Sequence, residues 1–310
     1  MWLHLVGGKQ ASMIRCLSIL IPTYNYACVE LVEELCAQAK AVEGLKYEIL
    51  VAEDGSTDAA TKGTNRLISR QENCRLIACK VNRGRSRIRN FLAEKASFPY
   101  LLFLDSDVMP GSEGFLLNYL ELGEEVSVAY GGVTLPKNEE LAQRNLRYKY
   151  ETKCLRKFTL ARRREREYQS FRTTNFLVSR ATMLRFPFEE NIRKYGYEDV
   201  LFGKVLEAAG VPIVHLDNAV VIEDFEENAD FLLKTEEGLA TLASLREKML
   251  GHSVLLAEAL SLESGALGWL LRRMFKGSQG WMRRNLTGEN PSVFVYNLFR
   301  LGTLMKFLEK

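Results

Sequence analysis

Four short apolar runs near the start of the chain each stop at a cluster of polar or turn-forming residues, and this punctuation limits the fold more than any other feature. Leu17 to Ile21 closes at Pro22, which cannot donate to a strand ladder. Tyr47 to Ala52 ends in Glu53-Asp54-Gly55-Ser56-Thr57-Asp58, Leu76 to Lys80 runs into Asn82-Arg83-Gly84, and Tyr100 to Leu104 halts at Asp105-Ser106-Asp107. Between them, Val29 to Ala41 and Arg85 to Ala96 read as helices, the first with Leu31, Leu35 and Ala39 near helical spacing. Strands alternating with helices predict an α/β fold with a mainly parallel sheet covered on both faces. Ligands gather at the carboxyl ends of such strands, where all these polar clusters fall.

The pattern loosens further along. Val126 to Val133 and Thr174 to Val178 read as a fifth and sixth strand, Ile213 to Leu216 and Ala219 to Ile222 as short strands, and Asn228 to Met249 as an amphipathic helix. Tyr195-Gly196-Tyr197-Glu198-Asp199 heads another helix, carrying Val200, Val205, Leu206 and Ala209. The basic stretch Gln143 to Tyr168, with Arg162-Arg163-Arg164, is either a solvated helix or loop, or a contact for an acceptor or phosphate.

A chain of 310 residues with 47% hydrophobic and 26% charged residues buries a core without staples. The six cysteines form no C-x-x-C pair and have no histidines at zinc spacing, so free thiols in a reducing compartment are expected. Met1 to Arg15 lacks the layout of a secretion signal, and no apolar run is long enough to span a bilayer, so a cytoplasmic protein is expected. The net charge of +3 is uneven: from Gly265 to Lys310 eight Lys or Arg face two Glu, leaving the rest at minus three. Such modest charge, with no recognisable binding module, argues against nucleic acid as a partner.

Asp105 and Asp107, one residue apart at a strand end, offer hard oxygen ligands of the kind that suit Mg²⁺ or Mn²⁺; a solvated turn with a capping Asp is the alternative. A carboxylate at Glu53 or Asp54 can accept hydrogen bonds from a nucleobase or ribose, or cap a helix. The helix opening after Gly84 favours an anion, and Arg89 one turn on adds either a charge-assisted contact or a surface ion pair.

Taken in order, Ile21-Pro22-Thr23-Tyr24-Asn25, Glu53 to Asp58, Asn82-x-Gly84 with Arg89-Asn90, Leu104-Asp105-Ser106-Asp107 and Tyr197-Glu198-Asp199 resemble the family 2 glycosyltransferases of the GT-A fold. The resemblance covers roughly Leu17 to Phe231 and implies a Rossmann-like mixed sheet, mainly parallel, with a helical C-terminal extension. It implies an inverting enzyme that moves a sugar from a nucleotide-diphosphate donor, with a UDP-sugar favoured, onto a glycan or lipid-linked acceptor in bacterial-type surface polysaccharide synthesis. By the same resemblance Pro22, Tyr24, Glu53 and Asp54 line the nucleotide pocket, with Asp54 on the base, and Gly84 and Arg89 face the donor. In the Asp105-Ser106-Asp107 element, Asp105 serves mainly the sugar nucleotide and Asp107 the divalent metal. Asp199 is the matching catalytic base, taking the proton of an acceptor hydroxyl as it attacks, and Glu198 positions it or the acceptor.

Two features depart from the family pattern. The first acid after the second strand is Glu53, longer by a methylene, and the histidine many relatives place after the catalytic helix is replaced by Ile222-Glu223-Asp224, where either Glu223 substitutes as a ligand or the metal rests on Asp107 and phosphates alone. His215, beside a short apolar strand, reads as structural. A non-catalytic donor-binding or scaffold protein of the same fold is the main alternative; a sugar-1-phosphate nucleotidylyltransferase would need a glycine-rich signature near the first strand that is missing.

Three regions are expected: an N-terminal extension at 1–15, a glycosyltransferase domain at 16–250 and a basic helical region at 251–310. In the last, Trp269, Leu270, Met274, Phe275 and Trp281 interleave with Arg272, Arg273, Lys276, Arg283 and Arg284. That mixture suits a helix lying in an anionic membrane surface, at the inner face of the cytoplasmic membrane, or one packed on the catalytic unit or a second subunit.

Overall fold

The computed structural model describes residues 12–192, 195–263 and 265–309. Among the described residues ten strands are formed, β1 (Cys16–Thr23), β2 (Lys46–Glu53), β3 (Cys74–Ala78), β4 (Tyr100–Leu104), β5 (Val108–Pro110), β6 (Val128–Tyr130), β7 (Val133–Thr134), β8 (Asn175–Ser179), β9 (Ile213–His215) and β10 (Val220–Ile222). Seven build one sheet in the order β3-β2-β1-β4-β8-β6-β9. Neighbours from β3 to β4 run parallel, as do β6 and β9, while β8 lies antiparallel to both β4 and β6. A small second sheet, β5-β10-β7, stands beside it.

Alternation of side chains across the strands accounts for the two cores. Ile19, Ile21, Ile49, Val51, Leu102 and Leu104 face one side, where Leu31, Val32 and Leu35 of the helix Val29–Ala41 cover them. Leu20, Leu50, Leu101 and Phe103 face the other, beneath Ile88 and Leu92 of the helix Arg85–Lys95 and Phe202 and Leu206 of the helix Glu198–Ala208. Every residue of β4 is buried, so the acidic turn that follows it hangs from a strand held inside the core; truncating Leu102 to Ala would cost about 2–5 kcal/mol.

The structure shifts several expected boundaries. β1 runs through Pro22 to Thr23; pairing with β4 ends at Leu20, so the missing N–H falls where the strand behaves as an edge. β3 starts at Cys74 and stops at Ala78, opposite Glu53, because β2 has no further residue to pair. The single strand expected over Val126 to Val133 is broken in two at Gly131 and Gly132. A Cβ on Gly131 would lie 2.2 Å from the Asn218 carbonyl oxygen, and Gly132 has φ +97°, so the chain can cross there from the large sheet to the small one. The helix expected to reach Met249 ends at Ser244.

The basic stretch forms the helices Leu146–Lys157 and Leu160–Glu165. Arg163 within it is buried and donates to the carbonyls of Tyr130, Gly131 and Leu216, the last at 2.8 Å, fastening the crossover rather than facing solvent or an acceptor. His215 is structural, its Nε2 2.8 Å from the Glu167 carbonyl, and burial pushes its pKa down to about 4.

Of the expected extension, residues 1–11 lie outside the described residues; Ile14 is buried and donates its N–H to Leu120. At the other end the helices Ala266–Leu286 and Val293–Leu308 pack on the helix Asn228–Ser244, burying Leu232, Phe275, Met282, Leu286, Tyr296 and Phe299. Gly302 makes this docking possible, since a Cβ there would fall 2.3 Å from the Phe275 ring. Trp269, Leu270, Met274 and Trp281 point the other way and are exposed. Among the described residues no helix is long and apolar enough to cross a membrane.

Candidate active site

The ends of β1 and β2 are tied to each other by the Asn25 side chain. With φ +51°, Asn25 turns so that its Oδ1 accepts from the N–H groups of Thr57 and Asp58, at 2.8 and 3.1 Å, while its own N–H donates to Ser56 Oγ. Pro22 is thereby fixed at the strand end, and Tyr24, 49% exposed, stands at the lip of a cleft of about 1130 Å³. Asn25, Glu226, Lys234, Glu237 and Phe307 form other parts of its wall.

Asp54 is buried and holds the next turn: its two oxygens accept from the N–H of Arg83 at 2.7 Å and of Gly84 at 3.0 Å. Burial raises its pKa, and those two hydrogen bonds oppose the rise. Glu53 beside it is also buried, and its Oε1 has no hydrogen-bond partner. Gly84, with φ +83°, opens the helix Arg85–Lys95, whose first and second turns present Arg85 and Arg89 on one face.

These arginines join two distant acids. Arg89, 2% exposed, donates to Asp105 at 2.5 Å and lies 3.8 Å from Glu198; Arg85 donates to Glu198 at 2.6 Å and lies 3.6 Å from Asp105. Arg89 is thus a buried member of an ion network and not a surface pair. Arg85, four residues before it on the same helix face, was not singled out by the sequence, although the i, i+4 spacing was the available signal. Its guanidinium also lies over the Tyr195 ring, 5.2 Å from the centroid.

Asp107 lies where the two sheets meet, two residues after Asp105, with Ser106 between them in the turn that joins β4 to β5. The antiparallel pairing of β5 with β10 sets Glu223 against it, the Glu223 N–H donating to the Asp107 carbonyl at 3.4 Å. Burial, then the charge of Asp105, raises the Asp107 pKa, and Arg147 approaches its carboxylate to 3.9 Å. Nearby, burial and the charges of Asp224, Asp107 and Glu223 push the Tyr26 hydroxyl up to about 12. Among the described residues no three His, Cys, Asp or Glu side chains close a complete metal cage. Asp105 is engaged by two arginines, so Asp107 is the carboxylate better placed to take a divalent cation, in an open site of the sort Mg²⁺ and Mn²⁺ share with substrate phosphates. Arg147, which also donates to Glu226 at 2.5 Å, comes from the basic stretch, and nothing in its local sequence marked it.

Glu198 and Asp199 begin the helix Glu198–Ala208, whose N-cap Tyr197 has the left-handed φ of +67°. Their environments push them apart. Burial raises the Glu198 carboxyl, but Arg85 and Arg89 more than offset it and hold it below the usual range. Burial, then the Glu198 charge, pushes Asp199 up to about 6, while its Oδ1 accepts from the Val200 N–H at 2.7 Å. One acid stays ionised as an anchor, and the other is poised to exchange a proton near neutrality.

A mixed sheet whose parallel half delivers acidic turns to one edge, with a paired-acid helix closing over them, is the GT-A arrangement. Residues 18–192 match the sequence model of Glycosyl transferase family 2, and the chain belongs to that family. Among curated proteins it is 32% identical over 91 residues to an uncharacterized glycosyltransferase of Haemophilus influenzae, which is 29% of this chain and 36% of that one. It is 36% identical over 106 residues to a poly(ribitol-phosphate) beta-glucosyltransferase of Bacillus spizizenii, 33% of this chain and 16% of that one. The chain thus spans well under two thirds of either relative. Among solved structures, a mannosyltransferase from Pyrobaculum calidifontis with GDP-Man and Mn²⁺ has a TM-score of 0.57 at 13% identity, covering 95% of this chain and 88% of that one. TarS residues 1–349 of S. aureus with UDP-GlcNAc has 0.50 at 17%, covering 94% and 90%. At these identities the likeness is one of fold.

Proposed function

We propose that the chain is an inverting glycosyltransferase that moves a sugar from a nucleotide-diphosphate donor, a UDP-sugar by preference, to a hydroxyl of a glycan or lipid-linked acceptor in bacterial-type surface polysaccharide synthesis. The observation that carries this reading is the divergence of Glu198 and Asp199 beside the Arg85, Arg89 and Asp105 network. In it, Asp199 takes the proton of the attacking hydroxyl, and single displacement inverts the anomeric centre. Glu198, anchored by the arginines, holds the start of the helix and with it Asp199. Pro22, Tyr24, Glu53 and Asp54 bound the nucleotide, Gly84 faces the donor with Arg89 buried behind it on Asp105 and Glu198, and Asp105 and Ser106 border the sugar. A divalent cation held at Asp107, with Glu223 near it, would neutralise charge on the departing diphosphate. The relatives named with nucleotide sugars, Mn²⁺ and a ribitol-phosphate polymer support the donor, metal and acceptor class.

The protein works in the cytoplasm, at the inner face of the membrane, in this reading. The helix Ala266–Leu286 supports that: Phe275 and Met282 are buried, while Trp269 and Trp281 are exposed on the side that carries Arg273 and Arg284, a face complementary to anionic lipid. The test of the enzymatic reading compares Asp199→Asn with the wild type. A screen of UDP-, GDP- and dTDP-sugars with Mn²⁺ should raise the melting temperature of both proteins, and transfer should vanish only in the variant. A non-catalytic donor-binding protein would show the shift without transfer in either. Absence of any shift would sink both readings.

A further inference from the structure

Away from the acidic site, two thiols meet at the edge of the sheet, on the face that the helix Val29–Ala41 covers. Cys36, in the helix Val29–Ala41, and Cys74, the first residue of the edge strand β3, have their sulfurs 3.3 Å apart. Among the described residues no other two cysteine sulfurs are in contact, and all six cysteines are free. We propose that Cys36 and Cys74 are an oxidisable pair, which a peroxide converts to a disulfide joining this helix to the edge of the sheet.

The contact is built for that chemistry. Hydrogen bonding from Cys74 is the main influence that lowers Cys36 to about 7, with Lys40, one turn along the helix, assisting against burial and Glu33. Cys74 is correspondingly raised, so it holds the shared proton. Cys36 is therefore the nucleophile, and Cys74 the resolving thiol in contact with it. Cys36 is 4% exposed but Cys74 is partly open, so an oxidant hardly larger than water can approach along the strand edge.

In the first step the Cys36 thiolate attacks one peroxide oxygen, the O–O bond breaks, and the departing hydroxide takes a proton to leave as water. The Cys36 sulfenic acid is then attacked by the Cys74 sulfur, which loses its proton as the sulfenic oxygen leaves as a second water. Two thiols and one hydrogen peroxide give one disulfide and two waters, the sulfurs losing the two electrons that the peroxide gains. The sulfurs are already in contact, so closure needs little backbone movement. The bridge encloses the chain from 36 to 74, including β2 and Asp54, and restricts the unfolded state far more than the folded one. Oxidation therefore strengthens the fold without touching the acidic site.

The experiment treats the full-length protein with hydrogen peroxide, removes the excess, denatures it and titrates thiols before peptide mapping. Free thiols should fall from six to four, with a linked Cys36–Cys74 peptide pair lighter by two hydrogens than the separate peptides. The oxidised protein should melt higher than the reduced one and return to the lower value with dithiothreitol. Cys74→Ser, at the partly open position, should give no linked peptide and should carry Cys36 on to sulfinic acid. Persistence of six thiols, cross-links to other cysteines, or wild-type Cys36 recovered only as sulfinic acid would overturn the proposal. None of these outcomes depends on sugar transfer.

Discussion

Asp199 offers the sharpest test of the site, because its ionisation sets a pH profile that an ordinary carboxylate would not. With a folded pKa of about 6, the carboxylate would be about 90% ionised at pH 7 and about 10% at pH 5. The rate under kcat/KM conditions, which reports the free enzyme, should therefore fall about tenfold over that interval, with a slope approaching one. At the ordinary value of 3.8 the loss over the same interval would be only about 6%. Donor affinity measured across the same range separates Asp199 from Asp54 and Asp107, whose pKa values are also raised. Stability supplies an independent arm. The folded value lies above the unfolded one, so the folded state binds this proton more tightly, and stability is lost as pH rises from 3.8 through about 6. Asp199→Asn carries no such charge, so its melting temperature should gain on the wild type as pH increases through that window. A flat rate between pH 5 and 7, or a melting difference that does not grow with pH, would refute the assignment.

Removing Arg89 should be costly, since it leaves Asp105 and the buried Glu198 short of a partner; Arg89→Ala should lose about 3 kcal/mol or more by urea unfolding, with Arg89→Lys intermediate. An unchanged midpoint would mean that the network is not holding the helix start. For the outward face of the helix Ala266–Leu286, wild type should sediment with vesicles rich in phosphatidylserine. Trp269→Ser with Trp281→Ser should weaken that binding more than tenfold at unchanged melting temperature, as both side chains are exposed, at 59% and 54%. Failure of the wild type to bind, or equal binding by the variant, would remove the membrane from the reading.

Part of the site was readable because it is local. Asp54 and Asp105 follow buried strands directly, Asp107 comes two residues later in the same turn, and Gly84 opens a helix, so chain order alone put them at one edge of a sheet. Other parts rest on partners far away in the chain. Arg163 looks like one cation in a basic run until the carbonyls at 130, 131 and 216 are brought to it. Arg147 reaches Asp107 only because its helix is anchored at Asn145, whose side chain binds the Glu226 carbonyl.

The break at Gly131 belongs to the same class, since what forbids a side chain there is the Asn218 carbonyl. For the C-terminal helices, periodicity defined two faces but not which would be buried; the gap that Gly302 leaves for the Phe275 ring decides it. The sequence by itself determined the alternation of strand and helix, the acids at the strand ends and the family, because these follow from side-chain period and neighbouring residues. Tertiary structure alone decided that Glu198 stays charged while Asp199 is held near neutrality, since burial and the Arg85 and Arg89 charges act through space on two adjacent residues that any local rule would treat alike.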